Sequence, residues 1–207
     1  MLEQNHACED NLKHIMAASW QSRRMADGDT FGIDSRNDDT VMAVMGDIQD
    51  DDNPWAGTPY EAYARLTPSG KTPYSERLVR AKLSELGYDV GDRLTRGDGT
   101  PDASHDCTIA NADGTVSTVE IKFGLATKRN TDWRTIYNHI GLDKNWDYIV
   151  LCCVNGDCRL GMSYYTRREL PMGLLRRQQG GKAEGNDDFM CIGANSRDLL
   201  LGGHALL

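Results

Sequence analysis

The chain has 207 residues, 39% of them apolar and 26% charged, and a formal net charge of -8. That length supports one domain with a real core and room for a small extra lobe. No apolar run approaches the roughly 20 residues of a membrane helix. The start Met-Leu-Glu-Gln-Asn-His lacks the basic and apolar stretches of a signal peptide, so the expectation is a cytoplasmic protein without membrane contact.

Residues 9 to 24 carry Leu12, Ile15, Met16 and Trp20 at helical spacing, which predicts a helix. Residues 25 to 57 are rich in Asp, Gly and Asn and read as loops. Pro59 to Leu66 reads as a short helix, and the Thr-Pro-Ser-Gly-Lys-Thr-Pro stretch at 67 to 73 reads as a joint. This divides the chain into a helical and acidic N-terminal region, 1 to 70, and a main domain, 71 to 207. Gly70-Lys71-Thr72 has the letters that end a phosphate-binding loop, but Arg65 stands where its first glycine belongs. Ser75 can cap a helix that Gly87 stops, with Leu78, Val79, Leu83 and Leu86 as its apolar stripe.

Further on, a strand is expected at Tyr88 to Leu94 and a Gly-rich turn at 97 to 101. Two more strands are expected near 105 to 110 and 116 to 123. Residues 131 to 140 read as a helix. Trp146 to Val154 reads as a strand that turns at Asn155-Gly156 and returns over 158 to 165. Thr166 is a candidate helix cap, 178 to 187 a loop, and Phe189 to Ile192 a last strand. Alternating helical and strand patterns of this kind give an α/β fold.

The six cysteines form no Cys-x-x-Cys pair, which argues against a structural zinc site. Cys107, Cys152 and Cys153 fall inside expected strands, where reduced thiols act as small apolar groups. The charge is uneven. Residues 1 to 60 hold an acidic excess with the run Asp50-Asp51-Asp52. The later chain holds Lys128, Arg129, Arg134, Lys144, Arg159, Arg167, Arg168, Arg176, Arg177 and Lys182. A local basic surface is therefore compatible with the negative total.

The chemistry concentrates in one hairpin. Thr118-Val119-Glu120-Ile121-Lys122-Phe123 alternates strictly, so Val119, Ile121 and Phe123 share one face and Thr118, Glu120 and Lys122 the other. Asn111-Ala112-Asp113-Gly114-Thr115 suits a three-residue loop with Gly114 in the left-handed position. That loop pairs Asn111 with Thr115, Ile109 with Ser117, Cys107 with Val119 and Asp106 with Glu120. A two-residue Asp113-Gly114 loop would instead put Asp106 on the wrong face. Facing carboxylates about 5 Å apart at Cβ repel unless a cation lies between them. Magnesium, which favours one or two carboxylates plus water and phosphate oxygens, is the expected ion.

Asp106, a hairpin and then Glu120-Ile121-Lys122 resemble the signature of the PD-(D/E)XK nuclease superfamily, which includes many type II restriction endonucleases. The resemblance covers roughly residues 75 to 165. It implies a mixed central sheet flanked by helices, a restriction-endonuclease-like arrangement. His105 stands before Asp106 where that signature has proline, while Pro101-Asp102 matches the letters but lies roughly 13 Å further back along an extended chain. Asp106 is the preferred residue. The resemblance implies that Asp106 and Glu120 hold magnesium with the backbone carbonyl of Ile121, and that Lys122 orients the attacking water or stabilises the transition state. It also implies a glutamate on the preceding helix. Glu76 fits that place, either as a further ligand or as a cap of the helix N-terminus.

The implied partner is double-stranded DNA, contacted through Lys128, Arg129, Arg134, Asn138, Arg167 and Arg168, with a homodimer cutting both strands. Trp133, Arg134, Tyr137, Asn138 and His139 also fit an amphipathic helix packed on the sheet. His105 and His139 are candidate metal neighbours. The functional expectation is a sequence-specific, metal-dependent DNA endonuclease. The alternatives are a structure-directed repair, recombination or RNA nuclease of the same fold, and a non-catalytic nucleic-acid-binding module. The plain structural alternative for the trio is a solvent-facing strand with an ordinary Glu-Lys pair and an unrelated Asp.

Overall fold

In the computed structural model the elements run, in chain order, β1 (Ile33–Asp34), α1 (Glu61–Arg65), α2 (Pro68–Glu85), β2 (Val90–Gly91), β3 (Cys107–Ala110) and β4 (Val116–Leu125). They continue with β5 (Thr135–Gly141), β6 (Tyr148–Val154), β7 (Arg159–Thr166), β8 (Arg176–Arg177), β9 (Asp188–Gly193), α3 (Ala194–Gly202) and β10 (His204–Ala205). The structure describes residues 33–34, 38–41, 55–126, 134–178 and 188–207. The helix expected at 9 to 24, Lys128, Arg129, Trp133, Lys182 and most of the acidic segment lie outside the described residues.

The main sheet has strand order β1-β7-β6-β4-β3-β2, with β10 also paired to β7. Among the described strands only the β4–β6 pair is parallel, so the sheet is mixed. The fold is α/β, as expected. A second sheet, β5-β9-β8, accompanies it.

Strand β6 is buried along its whole length because both sheet faces are covered. Val150, Cys152 and Val154 turn towards Leu78, Val79 and Leu83 of α2, the apolar stripe read from the sequence. Ile149, Leu151 and Cys153 turn to the other side, where they pack with Tyr137, Ile140, Trp146, Leu199 and Leu200. The sheet therefore has helix on one face and the second sheet with α3 on the other. All five described cysteines are buried and outside any disulfide, as expected for Cys107, Cys152 and Cys153 inside their strands.

Two elements differ from expectation. Helix α2 begins at Pro68, not after Ser75. Thr67 is its cap, accepting from Gly70 N–H, and Pro68 occupies the first turn, where its missing N–H has no helical partner to lose. Ser75 lies mid-helix and donates to the carbonyls of Lys71 and Thr72. The 67–73 stretch is thus helix start, and the 70/71 boundary falls within α2.

The second correction is the helix expected over 131 to 140. Residues 135 to 141 form strand β5, paired with β9. Thr135 and Tyr137 are buried while Ile136 and Asn138 are exposed, a period of two that suits these β-branched and aromatic residues. The register shifts between Tyr137 and Ile140, and His139 takes φ 55 there, the left-handed region that side chains seldom adopt. Thr166 caps a turn, not a helix, accepting from Glu169 N–H. Helix α3, which the periodicity did not point to, follows β9 directly.

The two hairpins share one loop geometry. Asn111 N–H donates to Thr115 O and Gly114 N–H to Asn111 O. Asn155 N–H donates to Arg159 O and Cys158 N–H to Asn155 O. Gly114 has φ 81 and Cys158 has φ 59. The left-handed position in the second loop thus falls on Cys158, not on Gly156. Gly124 has a different role: a Cβ there would stand 1.9 Å from Thr135 Oγ1, so glycine lets the end of β4 meet the start of β5.

Candidate active site

The register of the β3–β4 hairpin is the one the three-residue loop demands. Ile109 pairs with Ser117 and Cys107 with Val119. That ladder ends at Cys107–Val119, while β4 continues beside β6 to Leu125. Asp106 leaves the ladder as its N–H donates to Val119 O. Its Oδ2 then accepts the N–H of Ile121 at 2.7 Å, serving a backbone donor that the ladder no longer satisfies.

Val119 and Ile121 join the α2-side core, so Glu120 and Lys122 occupy the opposite face, as the alternation requires. In parallel register Glu120 lies beside Ile149 and Lys122 beside Leu151. Glu120 is not a solvent-facing residue: it is 1% exposed. Its Oε1 accepts from Lys122 Nζ at 2.7 Å and from Lys144 Nζ at 3.0 Å. Its Oε2 is buried and has no hydrogen-bond partner among the described residues. Leaving a buried carboxylate oxygen unpartnered is costly.

Glu76 is in the middle of α2, well past the first turn, which removes the capping alternative. Its Oε1 accepts from Arg93 NH2 at 2.9 Å, and the same nitrogen donates to Asp106 Oδ1 at 2.9 Å. Burial raises the Asp106 carboxyl above the ordinary aspartate value, and the negative charge of Glu120 raises it further. The Ile121 N–H, Lys122 and Arg93 oppose that rise. The Glu76 carboxyl is likewise raised, by burial first and then by Asp106, with Arg93 opposing and Glu120 adding to the rise. Glu76, Asp106 and Glu120 thus share one electrostatic environment, balanced by Arg93, Lys122 and Lys144.

The remaining candidates fall elsewhere. Asp102 accepts from Ser104 N–H and pairs with Arg96, which makes it a turn residue and leaves Asp106 as the aspartate of the site. Buried His105 is structural, since its Nε2 accepts the Leu94 N–H at 3.0 Å. His139 pairs with Asp188 at 2.8 Å in the second sheet. Arg134 is half-buried and Asn138 exposed on that sheet, and Arg168 is exposed.

Arg167 has a task other than phosphate contact. Its guanidinium donates to the carbonyls of Leu142, Lys144 and Trp146 and lies over the Trp146 ring at 4.4 Å from its centroid. It clamps the loop that carries Lys144.

Sequence reasoning missed Arg93 and Lys144 as members of the site. Each arrives from a loop at a long chain separation, and no local pattern marks either. Among the described residues, no three His, Cys, Asp or Glu side chains are grouped to hold a metal by themselves. No protein-family model matches the chain, and no curated protein is significantly similar to it.

Proposed function

We propose that the protein is a metal-dependent endonuclease that hydrolyses phosphodiester bonds of double-stranded DNA, of the sequence-specific restriction type and acting as a homodimer. The observation that carries this reading is the buried Oε2 of Glu120, which has no partner among the described residues, beside an aspartate whose carboxyl its charge disturbs and a lysine two residues on. The helix, the hairpin and the parallel strand β6 in one mixed sheet agree with the restriction-endonuclease-like arrangement.

The donor set fits magnesium: Asp106, Glu120 and the Ile121 carbonyl are hard oxygen ligands, and such ions keep several waters. When bound, the ion lowers the pKa of a coordinated water and offsets phosphate charge. Ile121 N–H and Arg93 fix the Asp106 carboxylate. Glu76 adds negative charge from the helix side. Lys122, tied to Glu120 Oε1 and only partly exposed, is placed to orient a water or to stabilise charge developing on phosphate.

Incubation of long duplex phage DNA with the protein and magnesium tests the reading. Discrete fragments that vanish with EDTA or with Glu120→Gln are expected. A smear, or cutting of branched or RNA substrates only, would favour a structure-directed nuclease. No cleavage of any nucleic acid with any divalent cation would leave only binding.

A further inference from the structure

One nitrogen, Arg93 NH2, touches a carboxylate oxygen of Glu76 and one of Asp106, each at 2.9 Å. A single positive centre between two acidic oxygens is the position a divalent cation would take. The site is neutral by this device: three carboxylates, Glu76, Asp106 and Glu120, face three cations, Arg93, Lys122 and Lys144. Adding a divalent ion gives that cluster an excess of positive charge unless one cation withdraws. Lys122 and Lys144 both hold Glu120 Oε1, whereas Arg93 alone among the three binds Asp106. The Arg93 side chain is also one-third exposed, so solvent reaches part of it.

We infer that Arg93 is a built-in competitor for the divalent cation, released from Asp106 when a nucleic-acid phosphate takes its guanidinium. The inference rests on the nuclease reading of the same site. A guanidinium pairs well with phosphate oxygens and loses little by exchanging one oxyanion for another. Phosphate binding then uncovers Asp106, and the uncovered carboxylate binds metal. Metal and DNA therefore bind cooperatively, and by reciprocity each raises the affinity for the other. Without DNA the carboxylates stay paired with Arg93 and metal binds weakly.

The test measures Mn2+ binding by electron paramagnetic resonance, with and without a duplex oligonucleotide, for the intact protein, Arg93→Met, Arg93→Lys and Arg80→Met. Arg80 is the charge control: it acts on Glu76 at a distance but pairs with Asp92, not with Asp106. Arg93→Met is expected to bind Mn2+ roughly tenfold or more tightly without DNA, since one close charge commonly moves an ionic equilibrium by one to three powers of ten. Its affinity is expected to change little when DNA is added. The intact protein and Arg80→Met are expected to tighten with DNA. Arg93→Lys, with a compact ammonium in place of the fork, should lie between, and a melt of each variant confirms folding.

Equal or weaker Mn2+ binding by folded Arg93→Met, or DNA coupling undiminished in it, would overturn the inference. So would an Arg80→Met protein that behaves like Arg93→Met. If Arg93→Met fails to fold, DNA coupling in Arg93→Lys that is weaker than in the intact protein supports the inference, and full coupling there refutes it. Coupled binding without any strand cleavage would refute the nuclease reading and leave the competitor role standing.

Discussion

Arg167 offers the sharpest test of the structure against the sequence. If it contacted phosphate, Arg167→Ala would weaken DNA binding, flatten its salt dependence and leave stability almost unchanged. In the structure it instead donates four hydrogen bonds to three carbonyls and stacks on Trp146. Losing a charged donor costs each carbonyl on the order of 1 kcal/mol once partial rehydration is allowed. The cation–π contact adds roughly 0.5–1 kcal/mol. The total is about 3–4 kcal/mol, which for a chain of this size lowers the melting midpoint by on the order of 10 °C. Arg167→Lys should lose most of the same stability, because one ammonium cannot serve three carbonyls. The assay is a thermal melt of both variants beside a filter-binding salt titration. A wild-type melting midpoint together with weakened, salt-insensitive DNA binding would refute the clamp.

Three other outcomes follow from the site. Lys122→Ala should lose cleavage by about a hundredfold or more while still binding duplex DNA in calcium, measured by gel shift beside a time course in magnesium. Lys144→Ala should lower cleavage less, because Lys122 still holds Glu120 Oε1; a loss equal to that of Lys122→Ala in the same time course would mean that the two lysines act as one unit. Asp106→Asn should raise the melting midpoint in EDTA at neutral pH. The wild-type carboxyl is held above its ordinary value of 3.8, so the folded state retains protons more readily and loses stability as pH rises through that raised value. The gain from Asn should shrink as pH falls towards the ordinary value, where both states are protonated; melts across the acid range read the trend, and a gain that grows on acidification would contradict it.

What could be read from the sequence was local. The Asn111–Thr115 loop is short, and Gly114 in the left-handed position fixes the register, so the placement of Cys107 opposite Val119 followed by counting. The alternation in β4 separated Glu120 from the core face correctly, but not its burial. Lys144, one of its partners, reaches it from 24 residues along the chain. Chain separation likewise hid Arg93 and the clamp on the Lys144 loop. Two local signals were misread for lack of context. Proline at 68 and 73 suggested a break, although Thr67-Pro68 is a helix start and the helix tolerates Pro73. Aromatic and apolar residues near 131 to 140 fit helical spacing as well as strand spacing, and only pairing with β9 decides between them.

The end of the β3–β4 ladder has a consequence for solubility. Beyond Cys107, β4 runs on for six residues, Glu120 to Leu125, without β3 beside it. A strand border that loses its ladder partner is in general a template for pairing with another copy of the chain. Here the Asp106 carboxylate takes the Ile121 N–H, and Thr135 meets the far end of the strand at Gly124 and Leu125. The Asp106 carboxylate thus also helps to close this border. A variant such as Asp106→Ala, made to remove activity, would leave the Ile121 N–H open on this border and should be handled as an aggregation-prone protein, not simply a silent one.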